Sequence, residues 1–531
     1  MPGRYISASQ FELGAQMETG KALRRLISDL HAVKGTWGAV ALSLGTTERN
    51  LRLVLARSDE ELAGYWPRYR EKALTAAREA GLEPVLYDGE VVLWDPRLSF
   101  ERNLNLAIEA PPLPVRPFRD LGVTLLGFRL NSPFGSPASV LTANADRIRF
   151  LARTGCDLLT YKTVRSRVTH SHPTPNILLV LDRIARLEPD RPIPPILVAD
   201  SLECDDWISA VKGMLNRYGM PSLAPNAWQA DVENAIRTLT DGQQLIVSIV
   251  GTLEPGDGPE AYVEDFVRVA KLAREAGAKI VEPNLSCPNA GKEGELYRDT
   301  ELATRVCAAI RAEIPDVPII AKIGYLPTHQ LRELVVAIAP HVNGITAVNT
   351  IPAEGQREGL GGRVPAFLVP GLKAGLSGGP IHGYALKCIR DLVQIREEEG
   401  LKDLAVIGVG GVTEPSEVHA LLGLGADAVQ AATVFYEDAY FGVRVRRYLE
   451  EQYLSRKLSL EEQLRLEHWN WSEAVRQKDG LKLSKAGLVI ANDIWFEHES
   501  RVRETASRGP RSSLPPKTVA DFTDLLTTRL G

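Results

Sequence analysis

Polar side chains of a few types directly follow several short apolar runs in this sequence. Lys162 and Thr163 follow DLLTY, Lys322 follows PIIA, and Asn349 and Thr350 follow GITAV. A buried ammonium group is unfavourable unless it meets an anion or a hydrogen-bond acceptor. A single lysine is usually solvated, but two lysines that end buried strands indicate a polar site.

Four asparagines are assigned to the same predicted strand ends and loops. They are Asn216, Asn284, Asn289 and Asn349. An asparagine near a strand end is usually a turn or cap residue. Four of them together would supply amide donors and carbonyl acceptors, which complement a cyclic imide with alternating C=O and N–H groups.

Cys287 is the residue best suited to proton transfer. It lies between Ser286 and Pro288 in a polar loop that leaves a strand, where nearby lysines would favour the thiolate. A free thiol has a pKa of about 8.5, so a modest decrease allows proton exchange near neutral pH. The other four cysteines are interpreted as small buried hydrophobic residues: Cys156, Cys204, Cys307 and Cys388.

Two glycine-containing turns could bind a phosphate. Gly410 and Gly411 follow the run AVIGV, and Ser377 and Gly378 lie in AGLSGGPI. Glycine lets backbone N–H groups approach a phosphate closely, and the late strands of a (β/α)8 barrel form its usual phosphate site.

These residues need a scaffold that brings distant strand ends together. Eight apolar runs separated by helical segments recur in order: SPFGSPAS, DLLTYKT, QLIVSIVG, KIVEPNL, PIIAKI, GITAVN, AVIGVG and AVQAAT. Continuous rather than alternating apolar runs are expected for strands that are covered on both faces. Residues 116–440 are therefore predicted to form a TIM-type (β/α)8 barrel of the α/β class, with functional residues at the carboxyl ends of its strands. An open doubly wound sheet is the alternative.

The regions on either side of the barrel have a different pattern. Residues 1–115 predict an N-terminal α+β extension of unknown role, with strands at GAVALSL, NLRLVLAR and GEVVLW. Residues 441–531 are rich in helical charge pairs and predict a mainly helical C-terminal extension.

Composition argues against several classes of protein. The 62 basic and 67 acidic side chains give a net charge of −5, so no nucleic-acid partner is expected. No window approaches the roughly 20 apolar residues of a membrane helix, so no membrane insertion is expected. The five cysteines form no C-x-x-C pair, and no metal site or disulfide framework is predicted. We expect a cytoplasmic protein that forms a homo-oligomer.

In order and approximate spacing, these motifs resemble the soluble, cysteine-using class of dihydroorotate dehydrogenases. NLSCPN at 284–289 is similar to the family signature. It is followed by VNT at 348–350, GLSGGPI at 375–381, IGVGG at 407–411 and QAAT at 430–433. The resemblance extends over about 121–440 and leaves the two ends of the chain unmatched.

The resemblance implies an FMN-dependent flavoprotein that oxidises dihydroorotate to orotate in pyrimidine biosynthesis and passes the electrons to an unidentified acceptor. Cys287 would remove the C5 proton while C6 delivers hydride to flavin N5. The implied contacts to FMN are Ala138, Ser139, Lys162, Thr163, Asn284, Lys322, Ser377, Gly378, Gly410, Gly411, Ala432 and Thr433. The implied contacts to the pyrimidine are Lys162, Asn216, Asn284, Asn289, Asn349 and Thr350.

Other readings stay open beside this one. A dihydropyrimidine dehydrogenase-like enzyme that reduces uracil-type rings shares the barrel and the cysteine, although it usually carries iron–sulfur motifs. A non-catalytic flavin-binding scaffold is a second alternative. Arg217 and Tyr218 differ from the usual family pattern in the loop after Asn216, and Arg217 could pair with a substrate carboxylate or point to solvent.

Overall fold

The computed structural model describes residues 27, 30, 36–57, 69, 72–73, 75–76, 91–108, 118–181, 187–200, 213–254, 256–286, 291–359, 362–367, 371–450 and 452. The strands in chain order are β1 (Val123–Leu125), β2 (Phe128–Leu130), β3 (Phe134–Ser136), β4 (Leu158–Val164), β5 (Ile177–Val180), β6 (Ile196–Asp200), β7 (Gly213–Asn216), β8 (Gln244–Ile249), β9 (Ile280–Pro283), β10 (Ile320–Lys322), β11 (Gly344–Ala347), β12 (Ile351–Gly359), β13 (Gly362–Pro365), β14 (Lys373–Gly378), β15 (Ala405–Val409) and β16 (Ala428–Gln430). The helices are α1 (Trp37–Ser43), α2 (Glu48–Leu55), α3 (Phe100–Leu104), α4 (Ala145–Arg153), α5 (Pro225–Thr238), α6 (Pro259–Glu275), α7 (Thr300–Glu313), α8 (Thr328–Ile338), α9 (His382–Glu398), α10 (Pro415–Gly423) and α11 (Phe441–Leu449).

Eight parallel strands form the barrel that the eight apolar runs predict. Their order is β10-β11-β15-β16-β3-β4-β8-β9. Bridges from Val281 to Ile319 and from Asn284 to Lys322 connect the two ends of this order and close the ring. Nearly all residues of these strands are buried, as expected for strands covered on both faces. The TIM-type prediction is confirmed, and the open-sheet alternative is wrong.

The helices around the barrel begin where the sequence supplies a start signal. α5, α6 and α10 each have proline in the first turn, where no backbone donor is needed and φ is already helical. The side chains of Asn144 and Asp299 cap α4 and α7 by accepting the backbone N–H groups of Arg147 and Leu302. These N-terminal signals determine where each helix begins, and therefore how long the loop is that connects it to the preceding strand.

Two insertions at the carboxyl ends of the strands build a second sheet. β5, β6 and β7 come from the long connection between β4 and β8, whereas β12, β13 and β14 follow β11. The order is β13-β12-β14-β7-β5-β6, and β6 also pairs with β12, so five of these strands form a closed ring. Since β7 ends at Asn216 and β14 at Gly378, this sheet brings both residues to the mouth of the barrel.

The described part of the N-terminal region is helical where strands are predicted. GAVALSL lies largely in α1 and NLRLVLAR largely in α2, so both strand predictions are wrong. Thr36 and Thr47 cap these helices by accepting the N–H groups of Ala39 and Asn50. Capping of this kind outweighs the weak strand preference of a few apolar residues. The described residues of GEVVLW, 91–94, form no strand either.

The start of the predicted C-terminal extension is part of the barrel. α11 follows β16, and its Phe441 ring lies 6.0 Å from the Phe134 ring of β3 between centroids. Arg446 of the same helix forms a buried ion pair with Asp157. α11 therefore serves as the last barrel helix, and most of the predicted extension lies outside the described residues. Across the described chain, no helix combines the length and the apolar character needed to cross a membrane.

Candidate active site

A cavity lies at the carboxyl ends of the barrel strands, and residues of the second sheet line part of it. It encloses about 1140 Å³, including its open mouth. All the predicted site residues that the structure describes line it: Ala138, Ser139, Lys162, Thr163, Asn216, Asn284, Lys322, Asn349, Thr350, Ser377, Gly378, Gly410, Gly411, Ala432 and Thr433. Cys287 and Asn289 lie outside the described residues. The structure thus brings together residues that are up to 295 positions apart, from Ala138 to Thr433.

One end of the cavity is a cradle of glycines beside a helix N-terminus. Gly378, Gly410 and Gly411 have φ values of 84°, 130° and 68°, which favour glycine. A Cβ atom on Gly411 would lie 2.4 Å from the backbone nitrogen of His382, the first residue of α9. His382 Nδ1 is also 3.1 Å from the carbonyl oxygen of Gly410. Such a turn beside the start of a 17-residue helix is suited to a phosphate.

A cluster of amide and hydroxyl groups lines the cavity at the ends of β4, β9 and β11. Asn284 Nδ2 lies 3.3 Å from Thr163 Oγ1 and 3.7 Å from Met220 Sδ. Asn349 Nδ2 lies 3.4 Å from Asn284 Oδ1, and it also donates to the carbonyl of Ser286. Because each amide is tied to its neighbours, the cluster presents its donors and acceptors in fixed directions.

The amide of Asn216 is held from the second sheet rather than from the barrel. Its Nδ2 donates to the carbonyl oxygen of Gly375 at 2.9 Å, across the pairing of β7 with β14. Thr350 is fixed from the barrel side, since its backbone N–H donates to Asn349 Oδ1 at 2.8 Å. Asn216 on one side and Asn284, Asn349 and Thr350 on the other therefore line one cavity from two independent supports.

Glu282 is a cavity residue that the sequence analysis missed, because it lies inside the apolar run KIVEPNL. Its side chain is fully buried, and burial raises the pKa of its carboxyl group, although the nearby Lys322 ammonium opposes this shift. No hydrogen bond of good geometry reaches either carboxyl oxygen, although the hydroxyls of Thr346 on β11 and Ser248 on the adjacent β8 also lower the pKa. The floor of the cavity thus holds an ionisable pair, Glu282 and Lys322.

Aromatic and sulfur-containing side chains complete the walls, and the sequence analysis predicted none of them as site residues, although it noted Tyr218 as a departure from the family pattern. Met214, Tyr218, Met220 and Tyr436 line the cavity. Their types carry no catalytic signal in a sequence, and buried residues of this kind are usually core. Arg217 is half-buried and does not line the cavity.

The residues just before Cys287 are buried and tied to residues that line the cavity. The backbone N–H of Leu285 donates to the Lys322 carbonyl at 2.9 Å, and the N–H of Ser286 lies 3.3 Å from Asn284 Oδ1. Three other cysteines are buried free thiols whose pKa values are raised by burial: Cys156, Cys307 and Cys388. These three match the interpretation as small hydrophobic residues, and Cys204 lies outside the described residues.

The cavity fits a phosphate-bearing aromatic cofactor. A Cβ at Gly411 would collide with the His382 backbone, so glycine lets this turn lie directly against the N-terminus of α9 while Gly378, Gly410 and Gly411 line the cavity. Lys162 and Lys322 lie elsewhere on the lining, where their ammonium groups could face an electron-rich ring. Among the described residues, no group of histidine, cysteine and acidic side chains could hold a metal ion.

Barrel and cavity together define a (β/α)8 protein whose cavity is lined by glycines at the ends of its late strands. Residues 206–453 match the family model described as dihydroorotate dehydrogenase. A dihydroorotate dehydrogenase of Dictyostelium discoideum is 30% identical over 330 residues, which are 61% of this chain and 86% of that protein. The chain belongs to the dihydroorotate dehydrogenase family, a family of flavoenzymes.

Other relatives carry names that differ in the electron acceptor. The catalytic subunit of dihydroorotate dehydrogenase B (NAD(+)) of Pyrococcus furiosus is 29% identical and covers 45% of this chain and 74% of its own length. Dihydroorotate dehydrogenase A (fumarate) of Lactiplantibacillus plantarum is 31% identical and covers 42% of this chain and 68% of its own. The ligand-free DHODH structure from Eimeria tenella superposes with a TM-score of 0.50 at 17% identity, over 66% of this chain and 95% of that chain. It supports the same fold.

Proposed function

We propose that this protein oxidises dihydroorotate to orotate with FMN as its bound cofactor. The observation that carries the proposal is the convergence of the glycine cradle, two lysines and the amide cluster in one cavity of a dihydroorotate dehydrogenase barrel. A phosphate cradle at one end and imide-complementary amides elsewhere suit a flavin and a pyrimidine together.

The lining residues divide into two groups around the cofactor. FMN, when bound, would supply the two-electron acceptor for the hydride that leaves substrate C6. Its phosphate would be held by Ser377, Gly378, Gly410, Gly411 and Thr433. Its ring system would be held by Ala138, Ser139, Lys162, Thr163, Asn284, Lys322 and Ala432. The two lysines would stabilise negative charge on the ring because a fixed cation is effective in a site with little water.

The protein's own chemical step is proton transfer. Cys287 takes the proton from substrate C5 as the hydride leaves C6, so the ring loses one proton and one hydride and gains a double bond. Asn216, Asn284, Asn289, Asn349 and Thr350 hold the pyrimidine ring. The hydrogen bonds among Asn284, Asn349 and Ser286 keep the amides of Asn284 and Asn349 oriented before substrate arrives.

Anaerobic mixing of the FMN-loaded protein with dihydroorotate tests the proposal. Loss of the oxidised-flavin absorbance is expected, because hydride transfer needs no second substrate. Fumarate, oxygen, a quinone and NAD⁺ are then added separately, and the one that restores the absorbance fastest identifies the acceptor. Dihydrouracil serves as the comparison compound. If flavin is reduced by dihydrouracil but not by dihydroorotate, or by neither, the proposed reaction is wrong.

We also propose that the enzyme works in the cytosol as a homo-oligomer. The free buried thiols of Cys156, Cys307 and Cys388 support a reducing compartment. Light scattering of the purified protein tests the oligomeric state, and a monomeric mass would contradict that part.

A further inference from the structure

We propose that residues 91–108, from the N-terminal region, form part of the active site by positioning Tyr218 in the cavity wall through Trp94. Residues 91–108 precede the part of the chain that carries the family motifs. The inference rests on the proposed function for the identity of the substrate. It assigns a positioning role to residues that the proposed reaction does not use.

The segment is held in one shape by Asn103, which is fully buried. Asn103 Oδ1 accepts the N–H of Asp95 at 2.8 Å, and its Nδ2 donates to the Asp95 carbonyl at 2.8 Å. The same Nδ2 lies 3.2 Å from the carbonyl oxygens of Leu98 and Ser99. Ser99 caps α3 by accepting the N–H of Arg102. These internal hydrogen bonds hold the segment in one conformation, so it can serve as a rigid support.

Arg147 of the first barrel helix, α4, ties this support to the barrel. Its side chain is fully buried, and its Nε donates to the Leu93 carbonyl at 3.0 Å. Its Nη2 donates to the Asn103 carbonyl at 2.5 Å, and its guanidinium carbon lies 5.0 Å from the centre of the Trp94 ring. One buried cation thus fixes both ends of the segment against the barrel.

Trp94 makes the contact with the cavity wall. Its Nε1 donates to the Tyr218 hydroxyl at 2.9 Å, and the two rings meet edge to face with centroids 6.1 Å apart. Phe100 completes the group at 5.5 Å from Trp94 and 6.2 Å from Tyr218. Because indole only donates, the phenol oxygen of Tyr218 is the acceptor and its tip is directed at Trp94. Tyr218 is buried and lines the cavity.

The loop that carries Tyr218 needs such a support because its backbone is unusual. Gly219 and Met220 both have positive φ, 77° and 54°, and such a φ is uncommon for a methionine. Arg165 Nε holds the Met220 carbonyl at 3.1 Å, and the N–H of His172 donates to the Tyr218 carbonyl at 3.0 Å. The loop lies between Asn216 and the contact of Met220 with Asn284, so movement of Tyr218 would disturb two predicted pyrimidine contacts.

Single substitutions that remove one hydrogen-bonding group test this role. Trp94→Phe removes the donor and Tyr218→Phe removes the acceptor, while both keep an aromatic ring. We expect the dissociation constant of orotate and the KM for dihydroorotate to rise about fivefold in each. We expect kcat and FMN affinity to stay within about twofold. The double variant is expected to be no weaker than the weaker single variant, since both remove the same bond.

Tyr161→Phe is the matched control. Tyr161 is also a buried tyrosine, its hydroxyl donates to Asp231 at 2.6 Å, and it does not line the cavity. We expect this variant to lose stability but to keep the orotate dissociation constant of the native protein. Additive effects of Trp94→Phe and Tyr218→Phe, or a native orotate affinity in Trp94→Phe, would overturn the inference.

Hydrogen exchange separates this inference from the proposed function. We expect the backbone amides of residues 217–220 and of Ser222 to exchange faster in Trp94→Phe and Tyr218→Phe than in the native protein, whatever the substrate. If native protein fails to oxidise dihydroorotate but these amides exchange faster in both variants, the proposed function is wrong and the support stands. Unchanged exchange in both variants would remove the support even if turnover is normal.

Discussion

A thiol can serve as a base in the active site only where its surroundings favour the thiolate. Cys287→Ala should keep the flavin absorbance and lower kcat for dihydroorotate by about 10²–10⁴-fold, since general base help is worth that much. Cys307→Ala is the control, because burial raises the pKa of that thiol to about 12 and it remains protonated. Steady-state turnover checks both variants. Near-native turnover of Cys287→Ala would remove the sulfur from the reaction.

Glu282 gives a second prediction for a single residue, through the pH dependence of stability. Its carboxyl group has an ordinary pKa of 4.5 in the unfolded chain and a raised pKa in the fold. The group therefore contributes stability below pH 4.5 that is lost as the pH rises through the folded pKa. Glu282→Gln cannot ionise, so its Tm relative to the native protein should be higher at pH 8 than at pH 4, by on the order of 2 °C.

Thermal unfolding at the two pH values measures this difference. Glu264→Gln is the matched control, since Glu264 is exposed on α6 and its substitution should shift Tm equally at both pH values. A Tm difference for Glu282→Gln that is the same at pH 4 and pH 8 would contradict a raised carboxyl pKa.

Residues with distinctive chemistry were predictable from the sequence, and residues with ordinary side chains were not. Lys162, Lys322 and the asparagines stand out because a polar group at the end of an apolar run needs a reason. Glu282 lies inside the four-residue strand β9 rather than at its end, so the sequence offered no comparable reason to assign it to a site. Tyr218 was noticed only as a departure from the family pattern, and its contact with Trp94 explains why a tyrosine is accommodated there.

At the scale of elements, the barrel was predictable because its strands are covered on both faces. Each of the eight predicted apolar runs coincides with one barrel strand to within one residue at its carboxyl end, or contains it entirely. The helices α1 and α2 were misread because short apolar stretches fit a strand or a helix equally well, and only their threonine caps distinguish them. The second sheet was not predicted, since its closure pairs β6 with β12 across more than 150 residues of chain.

The glycine cradle yields a prediction for the turn between β15 and α10, which packs against the start of α9. Gly411→Ala should lower FMN affinity at least about tenfold, because a Cβ atom there would collide with the His382 backbone and φ is positive. Fluorescence titration of the FMN-free protein measures the dissociation constant. Gly423→Ala, at the end of α10, is the control, since a Cβ atom there meets nothing within 4 Å. Equal FMN affinity in the two variants would place the phosphate elsewhere.

At the scale of the whole molecule, buried hydrophobic residues form two separate clusters. One is the barrel core, which includes Trp94 and Phe100. The other contains Ile27, Leu30, Leu51, Val54 and other residues of the first 76. The described residues of the N-terminal region are therefore divided between two hydrophobic cores. The sequence did not show that residues 91–108 belong to the barrel core. The contact that reveals it joins Trp94 and Tyr218, which are 124 positions apart, and neither residue lies in a recognisable motif.

This division predicts how the protein tolerates shortening from its N-terminus. A chain that begins at residue 91 keeps Trp94, Asn103 and their bonds to Arg147, so it should bind FMN and orotate as the full chain does. A chain that begins at residue 118 leaves the buried Arg147 without its acceptors at Leu93 and Asn103. It should unfold at a lower temperature and bind orotate at least about fivefold more weakly, since a buried charge loses its partners and Tyr218 loses its support. Thermal unfolding and orotate titration of the three chains measure both effects. Equal orotate affinity in the two shortened chains would show that residues 91–117 act on stability alone.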